Sequence, residues 1–156
     1  MSITVTIGSD SYIIPTNNQN PGWGEETTDW MVKVSSTLND NAGVNDKLLT
    51  SFNIANGQST AASIIGCVFD IATVKSIQMT YMVIRTKGTN VLTETGTLTA
   101  LWNGVTWKFG VEKIGDAGMD FDILNSGQVQ YFTTNMTDSG SYSGKILYRA
   151  KTIDNI

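Results

Sequence analysis

The chain has no histidine and a single cysteine among its 156 residues. Histidine is the usual general base, the partner of Ser and Cys nucleophiles and a common zinc ligand, so most chemistries of those kinds lack their parts. One cysteine excludes a disulfide framework within one chain, which fits synthesis in a reducing cytoplasm. Charge is scarce too: charged residues make up 15% of the chain, against roughly 25% in ordinary soluble domains. The 10 Lys and Arg are scattered and the net charge is -4. No basic stripe exists to follow a phosphate backbone, so nucleic acid is a poor partner. No apolar run approaches the ~20 residues that span a bilayer. Met1-Ser2 leads straight into alternating residues, with neither the basic segment nor the apolar stretch of a secretory leader. The expectation is a protein that assembles or binds and does not react, with no metal, cofactor, membrane or nucleic acid as partner.

What is present is apolar bulk and β-forming polarity. Apolar residues make up 40%, with 4 Trp, 5 Tyr and 5 Phe, enough for one core in one domain with a short appended segment. Thr, Ser, Asn and Gly fill the space that charge leaves, a mix suited to β-sheet surfaces and subunit interfaces. Cys67 lies in the apolar run Ile64–Phe69 and reads as a buried free thiol.

Ile3, Val5 and Ile7 alternate with Ser2, Thr4 and Thr6, and Gly8-Ser9-Asp10-Ser11 supplies a turn before Tyr12-Ile13-Ile14. This predicts an N-terminal hairpin, ended by Pro15. Within Glu25 to Leu38, Trp30, Val34 and Leu38 recur every four residues, as on one stripe of a helix. Glu25, Glu26 and Asp29 cluster where that helix would begin. The polar stretch Asn39 to Asp46 separates residues 1–46, a hairpin-and-helix segment, from residues 47–156, a β-domain. In the latter, alternation predicts strands at Leu48–Ile54, Ala62–Asp70, Ser76–Thr86, Val91–Trp102, Val105–Glu112, Met119–Leu124, Val129–Thr133 and Gly144–Ile153. Asn103-Gly104 predicts a two-residue loop. The fold class expected is all-β, an antiparallel sandwich of jelly-roll type with a short N-terminal hairpin and one short helix.

Ser76–Thr86 breaks simple alternation. Ile77, Met79, Tyr81 and Val83 share one face, while Met82 and Ile84 make the other apolar as well. A strand apolar on both faces is covered on both, and the second cover is read as another subunit or the N-terminal segment. Lys145, Arg149 and Lys151 would project together from one strand, as a solvated or subunit-facing edge. Glu94, Glu112, Asp116, Asp120 and Asp122 are the carboxylates available to a glycosidase, but Asp120 and Asp122 flank Phe121 as the wet side of a strand. Gly115-Asp116-Ala117-Gly118 is explained by turn chemistry without a calcium ion. Trp102 and Trp107 would meet across their turn, as core packing or as a sugar platform. Gly22-Trp23-Gly24 places a Trp between glycines in a polar loop, like an anchor for a partner's pocket.

Two sets of segments together resemble the small virion proteins of tailed bacteriophages: tail or head fibres, collar proteins and capsid decoration proteins. The first is Ile3 to Gly8, Ser11 to Pro15, Gly22-Trp23-Gly24 and the stretch around Trp30. The second is Glu94 to Leu98, Asn103 to Trp107, Gly115 to Phe121, Ser126 to Tyr131 and Tyr142 to Thr152. The resemblance implies a homotrimeric β-protein of the virion, made in the host cytoplasm and bound to other virion structural proteins. It assigns attachment to the segment Tyr12 to Leu38, in which Trp23, Trp30, Val34 and Leu38 would dock, while the second apolar face of Ser76–Thr86, with Met82 and Ile84, would bury against a subunit. No long shaft of repeats and no His-rich tip is present, which favours a compact knob or capsid-surface protein over a long fibre. The alternative is a virion-exposed module that recognises a host-surface glycan through Thr86–Asn90 or Thr134–Ser141.

Overall fold

The computed structural model describes residues 2–7, 10–15 and 45–154, in two units, 1–44 and 45–156. In the first, β1 (Ser2–Ile7) pairs antiparallel with β2 (Asp10–Pro15), in a register running from Ser2↔Pro15 to Ile7↔Asp10. Asp10 and Ser11, expected in the turn, are part of the ladder. The expected helix with Trp30, Val34 and Leu38, and the loop carrying Trp23, lie outside the described residues.

The second unit consists of two antiparallel sheets, and among the described residues there is no helix. Its strands are β3 (Lys47–Asn53), β4 (Ala62–Val68), β5 (Val74–Lys87), β6 (Asn90–Trp102), β7 (Trp107–Gly115), β8 (Met119–Ile123), β9 (Gln128–Thr133) and β10 (Tyr142–Asp154). All the expected strands of this unit are present, with ends moved by a few residues. The larger sheet has the order β3-β10-β5-β6-β7 and the smaller the order β4-β9-β8. Within the larger, β10-β5-β6-β7 is a Greek-key order: a three-strand meander whose first strand is joined by a later one returning through the other sheet.

Alternation decides which side of each sheet is buried. Ile77, Met79, Tyr81 and Val83 of β5, Leu98 and Ala100 of β6, and Ile146, Tyr148 and Ala150 of β10 face Ile64, Cys67, Phe121, Ile123, Val129 and Tyr131 of the smaller sheet. Tyr81 meets Phe121 edge-on at 4.8 Å between ring centroids, and the Cys67 thiol lies 3.7 Å from the Met79 sulfur. Trp107, Phe109 and Val111 share this inner face, as expected. Only Trp107 is buried, because β7 is the edge of a sheet wider than the one facing it.

The Asn103-Gly104 loop corrects its expectation. Trp102 pairs with Trp107, so the loop spans four residues. The Asn103 side-chain oxygen accepts the N–H groups of Val105 (3.0 Å) and Thr106 (2.9 Å), while Asn103 N–H donates to the Thr106 carbonyl (3.2 Å). Asn103 therefore works from the first loop position as a backbone mimic, not as a central residue of a tight turn.

Cys67 is fully buried, and burial pushes its thiol up to about 12. The thiolate is the reactive form, so the folded protein should resist alkylation at roughly pH 8, near the ordinary thiol range. The unfolded chain should take up one label. Intact mass after timed exposure to iodoacetamide checks this, and rapid native labelling would mean that β4 opens readily.

Candidate functional site

The outward side of the larger sheet carries the residues that the sequence marked for subunit contact. Pairing aligns Ser51 of β3, Leu147 of β10, Met82 of β5, Thr95 of β6 and Ile114 of β7 in one row across all five strands. Met82 is 45% exposed, Ile114 79% and neighbouring Leu49 71%. Ile84, half-buried, lies one row along, between Lys145 and Thr93. On the other side of the Met82 row, Arg149, Thr80, Thr97 and Glu112 form a second row. Shallow depressions cross the strands here. One lies between Leu49, Leu147 and Met82, and it continues through Thr95 to Ile114.

Lys145, Arg149 and Lys151 project from β10 on this side, as their spacing predicts. Arg149 donates to the Thr80 hydroxyl at 3.3 Å, and Lys151 pairs with Asp46 at 2.6 Å. Burial alone would raise the Asp46 carboxyl, but the bonds from Lys151 and Thr152 outweigh it and hold Asp46 below its ordinary range.

One end of the inner layer is sealed by charge, at two positions the sequence reading did not single out together. Arg85 continues the buried face of β5 and is itself 0% exposed. Its guanidinium donates to the carbonyls of Ala117 (2.5 Å), Gly118 (3.1 Å) and Thr134 (2.5 Å). It also donates to the Asn56 side-chain oxygen (3.1 Å) and the hydroxyls of Thr134 (3.2 Å) and Tyr142 (3.2 Å). Glu94 likewise continues the buried face of β6. It accepts from Tyr81 (2.8 Å), Lys113 (3.1 Å) and the Ala117 N–H (3.0 Å). Burial and donation to Glu94 both push the Tyr81 hydroxyl up. For Lys113 burial pulls the other way, and Glu94 wins, raising the ammonium. A cation and an anion each falling in phase with an apolar face, Ile77-Met79-Tyr81-Val83-Arg85 and Leu92-Glu94, was the available signal.

The remaining candidates separate. Asp120 is exposed and Asp122 half-buried, on either side of buried Phe121. Asp116 accepts the Gly118 N–H at 2.7 Å, the turn role expected of it. Among the described residues no group of three acidic, His or Cys side chains is placed to hold a metal ion. Trp102 and Trp107 do meet, at 5.7 Å between centroids, but Trp107 is packed inward and offers no platform. Thr86–Asn90 and Thr134–Ser141, named separately in the sequence, are brought together: Asn90 donates to Asp138 at 2.8 Å and Lys87 to the Met136 carbonyl at 2.7 Å. Trp23, Trp30, Val34 and Leu38 lie outside the described residues.

No protein-family model and no curated protein matches the chain. Among solved structures, the tailspike protein of Acinetobacter phage vB_ApiP_P1 is similar at a TM-score of 0.35 and 12% identity. The match covers 70% of this chain and 20% of the tailspike, so the chain spans about a fifth of that protein's length.

Proposed function

We propose that this chain is a structural virion protein of a tailed bacteriophage, a non-enzymatic component that assembles through its surfaces. The observation that carries this reading is the outer face of the larger sheet, where Leu49, Met82 and Ile114 stand exposed and Met82 rises from a strand whose other side is already buried. Contiguous apolar surface of that kind marks an interaction site. Each large side chain removed from water there would contribute roughly 1.5–3 kcal/mol.

The resemblance in the sequence supplies the setting. It implies several copies per assembly, attached to other virion proteins through Trp23, Trp30, Val34 and Leu38. Trp23→Ala should abolish incorporation into particles while leaving the melting transition of the β-domain unchanged. Particle-associated protein after gradient purification, set beside a thermal melt, measures both. Normal incorporation of that variant would sink the attachment role. A second reading, recognition of a host-surface glycan, is favoured by the bonding of Thr86–Asn90 to Thr134–Ser141 into one surface. Oligosaccharide binding lost on changing Asn90 but retained in Trp23→Ala would support it.

A further inference from the structure

We propose that the outer face of the five-stranded sheet docks a second copy of this chain, face to face, about a two-fold axis running along β5. The proposal rests on the reading of the chain as a self-assembling protein, and it names the partner and the geometry.

β5 is the middle strand of the order β3-β10-β5-β6-β7. A half-turn about an axis parallel to β5 lays β10 of one copy over β6 of the other and β3 over β7. Such a half-turn keeps each cross-strand row over itself, read in reverse. The first row reads Ser51, Leu147, Met82, Thr95, Ile114. Reversed upon itself, it sets Ile114 over Ser51 and Leu147 over Thr95, a large side chain over a small one at each off-axis position. Met82 falls on the axis and meets its own copy, where an unbranched thioether adapts to the space. In the next row Arg149 comes over Thr97, beside Glu112 of the other copy. In these rows Arg149 lies on the β10 side and Glu112 on the β7 side of the axis, so the half-turn brings this one pair of opposite charges together, and symmetry makes the contact twice.

The extent of the face also fits. β5, β6 and β10 have 14, 13 and 13 residues. At ~3.4 Å per residue and ~4.8 Å between five strands, the face measures roughly 20 by 40 Å, on the order of the ~800 Å² per partner that a stable interface uses.

The test uses the full chain, with mass measured by light scattering over a dilution series. The expected species is twice the 16.9 kDa chain. Met82→Glu, which sets two carboxylates on the axis, should weaken association about hundred-fold or more. Arg149→Glu and Glu112→Arg should each weaken it about ten-fold, and the double variant should return to within about three-fold of the parent. Circular dichroism verifies that each variant keeps its β-structure, since all three positions are on the surface. A trimer, an unaffected Met82→Glu dimer, or a double variant no better than the singles would overturn the two-fold arrangement while leaving self-assembly standing. A monomer that is also absent from particles would overturn both readings.

Discussion

Arg85→Ala should destabilise the β-domain by about 3–5 kcal/mol, enough to remove much or all of the stability of a domain this size. The arginine is fully buried, and its acceptors belong to chain segments far apart in sequence: Asn56, Ala117-Gly118, Thr134 and Tyr142. Truncation takes the donor from the buried Ala117 carbonyl, at a cost of about 1–3 kcal/mol where water does not enter. The carbonyls of Gly118 and Thr134 keep the N–H groups of Thr134 and Gly57 but lose the charged donor that ties them to β5. Arg85→Lys should recover little. One ammonium has three donors at one point, whereas the acceptors are spread around a planar fork. Urea denaturation followed by intrinsic fluorescence measures both variants. A loss below about 1 kcal/mol for Arg85→Ala would mean that the surrounding segments are held by their packing alone.

The second large effect is expected at Gly127, and it is steric. Gly127 has a φ of +84°, and a Cβ there would lie 1.8 Å from the Phe69 carbonyl oxygen and 2.8 Å from its carbon. The two backbones are locked together, Phe69 N–H donating to the Gly127 carbonyl at 3.1 Å, and Phe69 itself is a core residue. Gly127→Ala must therefore push the end of β4 away and open the core beneath it, at a cost of about 3 kcal/mol or more. Gly104 provides the control. Its φ is +93° but nothing lies within 4 Å of the site of its Cβ, so Gly104→Ala should show the backbone effect alone, about 1 kcal/mol. Equal losses at the two positions would refute the close approach at Gly127.

These two sites also mark the limit of what the sequence discloses. The β-strands after residue 46 were legible because Val, Ile, Tyr and Thr alternate and glycine-rich turns separate them. Met82 and Ile84 were legible as a second apolar face for the same reason: a period of two assigns sides without any knowledge of neighbours. Strand order was not. That Asn53 pairs with Lys145, and Lys145 with Ile84, depends on packing of the whole domain. Arg85 reads in the sequence as a charged strand end, because its acceptors are visible only once four distant segments converge. The loop at Asn103 was misjudged for a local reason: the Asn side chain replaced a backbone acceptor, and the dipeptide pattern does not encode which role Asn takes.

The position of β10 has a consequence for how the domain comes into being. It follows the other strands of its sheet in the chain, yet it lies second in strand order, between β3 and β5. During synthesis β3 waits without a neighbour while about ninety further residues emerge, and one edge of β5 stays open for about fifty-five. Loss of β10 would leave a gap inside the sheet and not a frayed edge, so this strand is the keystone of the larger sheet.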